Sequence, residues 1–335
     1  MQPPEHRQPP TDAAETVFRR NGLEVLTGRA NPELAKKVGT ILNVTVDQPV
    51  STFADGEIRI QIGPSLDRKD VFIVQPTSPP RVNDYAVELA LMIDAARRAS
   101  SAEITAIIPY FGYSRQDRKD RSRVPISSEV FAKWYEQRGA MRIVTVDIHS
   151  EQQQGFFNGP WDNLRASYTL VPALKDQGLA ENVVVVSPDK GGVPRATEYA
   201  RLLGTNELAV VYKHRDIHLH DQTNTLFMVG EVSNRNVVIV DDLISTFRTG
   251  TKAATLLKQN GAERIIFAAT HGLFTEDALQ RLDDSPIDEV WITDSIAHRT
   301  EVLQHPKIHS ASIAPLLAES IHRIHKGIPL HDLIP

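Results

Sequence analysis

VVIVDDLISTFRTGT, residues 237–251, begins as an aliphatic run, turns polar at two adjacent acids and passes through a Ser/Thr-rich turn into a helical pattern. Four successive β-branched residues without alternation describe a strand covered on both faces, the habit of parallel sheets in α/β proteins. Carboxylates placed where such a strand ends stand at the carboxyl edge of the sheet, where open α/β sheets bind ligands. The same layout recurs along the chain. Runs at 23–28, 71–76, 104–110, 142–149, 183–189, 208–212, 264–270 and 289–293 read as further strands, and 83–99, 127–138, 190–203 and 249–260 as helices between them. The expected class is α/β, with mainly parallel sheets flanked by helices.

The segment GFFNGPWDN (155–163) interrupts this alternation with glycine, proline and asparagine and divides the chain into comparable halves. Two domains are expected, 21–163 and 164–335. Residues 1–20 hold four prolines, both charge signs and no apolar core stretch, and read as a disordered tail. With 335 residues, 41% hydrophobic and 24% charged, each half has material for its own core. A net charge of -5 argues against broad binding to nucleic acid or anionic membranes. No apolar run approaches the roughly 18 residues of a membrane helix, so a soluble chain is expected. Cysteine is absent, so a divalent ion would need oxygen or imidazole ligands. That composition fits a reducing compartment, and a cytoplasmic location is expected.

Asp241 and Asp242 are placed to accept hydrogen bonds from neighbouring sugar hydroxyls, while amides at the following helix start can hold a phosphate. Such a pair could also bind metal or cap the helix. Strands ending in acid recur at VDIH (146–149) and SPDKGG (187–192). In IPYFGYSRQDR (108–118), Arg115 and Gln116 follow an apolar strand and a Gly-containing turn, which aims their donors at a phosphorylated ligand. Within VVYKHRDIHLH (210–220), Lys213 and Arg215 stand two residues apart and share a side if the backbone stays extended. Two converging cations suit a polyphosphate, although charges also protect edge strands. FADGE (53–57), by itself, is an Asp-Gly turn.

Taken together in order and spacing, FADGE, IPYFGYSRQDR, VDIHSEQQQGFF (146–157), VVSPDKGGVPRA (185–196) and the 237–251 loop resemble the ribose-phosphate diphosphokinases, over about residues 23–325. The resemblance implies two tandem phosphoribosyltransferase-like domains, the first binding ATP and the second ribose 5-phosphate. It implies transfer of the terminal diphosphate of Mg-ATP to the anomeric hydroxyl, with Lys213 and Arg215 catalytic. Phe53, Asp55, Glu57, Arg115, Gln116 and Asp117 would contact ATP, Phe53 packing on adenine across a subunit interface. His149 and Asp189 would lie around Mg²⁺. Arg215, Asp241, Asp242, Ser245, Thr246, Phe247, Arg248 and Thr249 would hold ribose 5-phosphate. A homo-oligomer, commonly a hexamer of dimers, is also implied.

One departure stands out. Where the family loop usually reads Asp-Thr-Gly-Gly-Thr, this chain has Ser245-Thr246-Phe247-Arg248-Thr249. A phosphate cradle exploits positive φ at glycine, and Phe there is strained, so a cradle of different shape is expected, with the Arg248 side chain as a compensating phosphate ligand. Loop divergence of this kind also fits a non-catalytic paralogue that regulates an active synthetase. A phosphoribosyltransferase shares the sugar loop but has no use for FADGE and RQDR.

Overall fold

A computed structural model describes residues 22–179, 181–214 and 225–333. The tail at 1–20 and Arg215 lie outside the described residues.

The first sheet starts with β1 (Leu23–Thr27), followed by α1 (Pro32–Leu42) and the edge strand β2 (Val46–Asp47). A separate hairpin follows, formed by β3 (Val50–Thr52) and β4 (Ile58–Ile60). The sheet is completed by β5 (Asp70–Val74), α2 (Val82–Arg98), β6 (Glu103–Ile108), α3 (Ser127–Arg138), β7 (Arg142–Val146) and β8 (Trp161–Leu164). All its pairings are parallel, in the order β2-β1-β5-β6-β7-β8. Residues 155–163 run from a 3-10 turn (Glu151–Phe156) into β8, so this sheet ends at Leu164.

Helix α4 (Ser167–Asp176) carries the chain across to β9 (Val183–Ser187) and α5 (Val193–Leu203). Then come β10 (Leu208–His214), β11 (Thr225–Val229), β12 (Asn236–Ile244), α6 (Arg248–Gln259), β13 (Arg264–Gly272) and α7 (Ala278–Asp283). The chain closes with β14 (Glu289–Thr293), α8 (Thr300–Leu303), β15 (Ile308–Ala311) and α9 (Ala314–Lys326). The order is β11-β10-β9-β12-β13-β14-β15, parallel except that β11 runs against β10.

The apolar runs explain the sheets. Every residue of β5 is buried, as is every residue of β9, which requires helices on both faces. The expected α/β class with mainly parallel sheets holds. Helices begin where local chemistry allows: Asn31 caps α1 by accepting the Leu34 amide at 3.3 Å, with Pro32 in the first turn.

One apolar core spans both sheets, joining Val25, Leu34 and Val38 to Val185, Val238 and Ile313. The final helix α9 lies against α1, and Nδ1 of His325 meets Asp70 Oδ2 at 2.7 Å. Each sheet also has a point where successive connections run in opposite directions: between β1 and β5 in the first, between β9 and β12 in the second. Ligands of open α/β sheets bind at such points, beyond the carboxyl strand ends. Among the described residues no helix is long and apolar enough to cross a membrane.

Candidate active site

The switch point of the second sheet carries the acids. β9 ends just before Asp189, and β12 carries Asp241 and Asp242. A cavity of about 230 Å³ opens there, lined by Arg115, His149, Asp189, Asp241, Asp242 and residues 243–250, with Phe267 at its floor. A second cavity of about 270 Å³ shares Arg115 and Ser245 with it and extends to Gln116, Tyr110 and Tyr113. The first lobe thus supplies Arg115 and His149 to a pocket whose base belongs to the second.

The charges are organised around Asp242. Its Oδ2 lies 2.7 Å from Nδ1 of His149, and since a carboxylate only accepts, that nitrogen carries the proton. Arg195, in the first turn of α5, reaches Asp241 Oδ1 at 3.6 Å and Asp242 Oδ1 at 3.8 Å. Burial alone would raise the Asp242 carboxyl, but the His149 hydrogen bond and the Arg195 charge hold it below the usual carboxylate range. Burial and the adjacent Asp242 charge push Asp241 well above that range. The hydrogen bond to Asp242 raises His149. The two acids are thus pushed in opposite directions, with the Arg195 guanidinium beside both. Arg195 stands inside a segment already singled out, yet nothing in its sequence context marked it above its neighbours. The available signal was an arginine in the first helical turn after a strand-end glycine pair.

Asp189 Oδ1 accepts the Gly192 amide at 2.9 Å, so this carboxylate shapes the SPDKGG turn as well as lining the cavity. Among the described residues no group of three or more His, Cys, Asp or Glu is arranged to hold a metal ion.

The sugar loop holds its phenylalanine in the conformation that local preference disfavours. Phe247 adopts φ 61°, ψ 10°, so the left-handed conformation is kept although glycine is not. The ring compensates by packing: it is 4% exposed and lies edge-on to Phe267 at 4.8 Å and to Phe274 at 6.3 Å. Gly250 makes this possible, because a Cβ there would sit 2.6 Å from the Phe247 ring and 2.7 Å from Phe267. Arg248, Thr249 and Gly250 of the first turn of α6, whose amides have no acceptor within a helix, line the same cavity. Ser245 Oγ pairs with Thr275 Oγ1 at 3.1 Å, and the Thr246 carbonyl accepts from Arg281 at 2.9 Å. Arg248 borders the cavity with its guanidinium turned to Glu276 at 3.1 Å, largely exposed.

Gln116 is fixed by Ser127 Oγ at 2.7 Å, and the Asp117 charge helps to raise His149. Phe53, Asp55 and Glu57 line neither cavity. They form the tip of the β3–β4 hairpin, where Asp55 accepts the Glu57 amide at 3.1 Å and Phe53 is 49% exposed. Lys213 lies on β10 opposite Leu226.

The lobes are pinned beneath the pocket. His271 Nε2 meets the Val146 carbonyl at 3.0 Å, which makes it the protonated nitrogen, and Nδ1 meets Ser295 Oγ at 2.8 Å. Thr270 Oγ1 donates to Asp147 Oδ2 at 2.6 Å. Burial pushes His271 below its ordinary value. A depressed histidine contributes stability above its unfolded value of about 6.5 and loses it as the pH falls below that. His149, raised, has the opposite sign but is 42% exposed at its side chain. The midpoint of thermal unfolding should therefore fall between pH 7 and pH 5, and His271→Gln, which keeps a donor without titrating, should flatten that slope.

Two mainly parallel sheets meeting over an acid-lined crevice define an α/β protein with its ligand site at the carboxyl strand ends. Residues 23–139 match the description "N-terminal domain of ribose phosphate pyrophosphokinase", and residues 216–334 match "Phosphoribosyl synthetase-associated domain". A ribose-phosphate pyrophosphokinase of Vibrio parahaemolyticus is 43% identical over 90% of this chain and 96% of its own length. One of Ralstonia nicotianae is 45% identical over 93% and 98%. The crystal structure of phosphoribosylpyrophosphate synthetase from Mycobacterium smegmatis superimposes with a TM-score of 0.85 at 38% identity, covering 92% of this chain and all of that one. The chain belongs to the ribose-phosphate pyrophosphokinase family.

Proposed function

We propose that this crevice transfers the β,γ-diphosphate of Mg-ATP to O1 of ribose 5-phosphate, giving 5-phosphoribosyl 1-diphosphate and AMP. The observation that carries it is the convergence of Arg115 and His149 from one lobe with Asp189, Asp241, Asp242 and the 245–249 loop from the other on a single cavity. A regulatory paralogue has no need of that convergence, and a phosphoribosyltransferase has no need of the first lobe.

The sugar phosphate rests on the 241–249 loop, its hydroxyls on the acids and its phosphate on the α6 amides, with Ser245, Thr246, Phe247, Arg248 and Thr249 as the wall. Asp242, kept ionised by His149 and Arg195, is the stronger acceptor. Arg115, Gln116 and Asp117 hold the nucleotide. Lys213 and Arg215 offset charge growing on the transferred group and on departing AMP. Placing O1 in line with the β-phosphorus supplies much of the rate advantage.

The donor set fits a magnesium ion of low protein coordination: Asp189 keeps a carboxylate oxygen free of the Gly192 contact, His149 presents Nε2, and triphosphate oxygens would supply the remaining ligands. Such an ion, when bound, would neutralise triphosphate charge. Phe53, Asp55 and Glu57 would complete the nucleotide pocket of a neighbouring subunit, which calls for a homo-oligomer, a hexamer of dimers in the family pattern, working in the cytoplasm. Incubation of the protein with Mg-ATP and ribose 5-phosphate should release AMP and diphosphorylated sugar in equal amounts. AMP without that sugar, or neither product, would reject the proposal.

A further inference from the structure

The two switch points differ. In the second sheet the crevice is open, whereas in the first it is filled by the chain itself. Gln75, wholly buried, occupies the space that a Cβ at Gly28 would need, at 2.5 Å. Its Nε2 donates to Glu88 Oε2 at 2.9 Å, and its Oε1 accepts the Ala30 amide at 3.3 Å. Glu88, in the middle of α2, has no exposed surface. A buried carboxylate is costly unless paired, and its partner here is Arg29.

Arg29 is held twice. Its backbone amide donates to Glu88 Oε2 at 3.0 Å and its Nε to Glu88 Oε1 at 2.7 Å. This fixes both ends of the side chain's root and leaves the guanidinium tip pointing outward. There Nη1 donates to Thr52 Oγ1 at 2.6 Å. Thr52 is the last residue of β3 and directly precedes Phe53. Among the described residues the hairpin pairs only with itself as a sheet, through three residue pairs; Val50 and Ile60 at its base pack on the first-lobe core, while the Arg29 contact is made at the tip end of β3. A two-stranded ribbon of that length is marginal without outside support.

We infer that Arg29 is a positioning residue for nucleotide binding: clamped by buried Glu88, it sets the root of the β3–β4 hairpin and so the placement of Phe53, Asp55 and Glu57. This rests on the hairpin being the nucleotide contact proposed above. The clamp acts on nucleotide affinity and not on the sugar loop, which lies at the other switch point.

Steady-state kinetics of four variants of the full chain test it. Arg29→Ala strips the partner from buried Glu88 and so lowers stability; measured well below its unfolding temperature, it should raise KM for ATP about tenfold, the worth of one charge-assisted hydrogen bond, leaving KM for ribose 5-phosphate unchanged and kcat within a factor of about two. Arg29→Lys, which keeps a donor on a flexible stem, should recover part of the loss. Thr52→Val keeps the Arg29–Glu88 pair and a strand-forming residue, and should still raise KM for ATP about threefold. Phe53→Ala reports on the hairpin itself. If Phe53→Ala weakens ATP while Arg29→Ala and Thr52→Val do not, the clamp is wrong and the hairpin's role stands. If Phe53→Ala leaves KM for ATP unmoved, the hairpin's role fails and the clamp with it. Equal loss toward both substrates in Arg29→Ala, with Thr52→Val silent, would make Arg29 merely structural and overturn the inference.

Discussion

Replacing Arg195 with methionine is expected to destabilise the protein by about 3–5 kcal/mol, the cost of stripping the partner from a buried charge. The guanidinium contacts both acids and is itself mostly covered, so its removal leaves Asp241 and Asp242 without their shared cation. The pair will then take up a proton more readily, because like charges in contact cannot both ionise. Two readouts follow. The midpoint of urea unfolding should drop at pH 7.5, and kcat/KM for ribose 5-phosphate should fall by at least about tenfold, with its acid limb displaced to higher pH. A variant as stable as the parent, with an unmoved pH profile, would show that Arg195 does not govern the acids.

Phe247→Gly is the second large effect, and its sign is decided by magnitude. Glycine at φ 61° relieves backbone strain of about 1 kcal/mol. It also empties a site where a phenylalanine ring packs against Phe267 and Phe274, at a cost of about 3–5 kcal/mol for a large-to-small change in a core. Packing wins, and net destabilisation of roughly 2–4 kcal/mol should appear in chemical denaturation. The substitution brings the chain closer to its relatives' usual loop and yet makes it less stable. Because Gly250 leaves room for that ring, Gly250→Ala should perturb the same loop by overpacking. Stability gained in Phe247→Gly would mean that the ring contributes less than the strain it imposes.

Much of this architecture could be read from residue order, for a physical reason. A strand buried on both faces admits almost only aliphatic residues, so β5, β9 and β12 announce themselves. Elements buried on one face or at an edge do not. Helix α4 carries Pro172 in its interior, β8 is the mixed run Trp161–Leu164, and β11 lies next to a segment of strong charge. The acids of the pocket were legible because they follow aliphatic runs, although β12 continues through Asp241 and Asp242 to Ile244. Arg195 was not, because its partners are 46 and 47 positions away and only the fold brings them near. The packing behind Phe247 was not legible for the same reason: local preference marks a left-handed phenylalanine as strained, and only the fold brings Phe267 and Phe274 against its ring. FADGE reads as a turn and is one; the clamp that gives it a fixed base comes from Arg29, Glu88 and Gln75, none of which lies in a recognisable motif.

Among the described residues helix α9 is the element nearest the carboxyl end, and it is seated on α1, near the amino end. Elements about 280 positions apart in the chain thus cover each other, and the flank of the first sheet under α1 is closed only when α9 is in place. Removal of residues 314–326 would therefore strip apolar cover from both sheets at once, since Leu317 and Ile321 pack in the core that joins Val25 and Leu34 to Val185 and Val238.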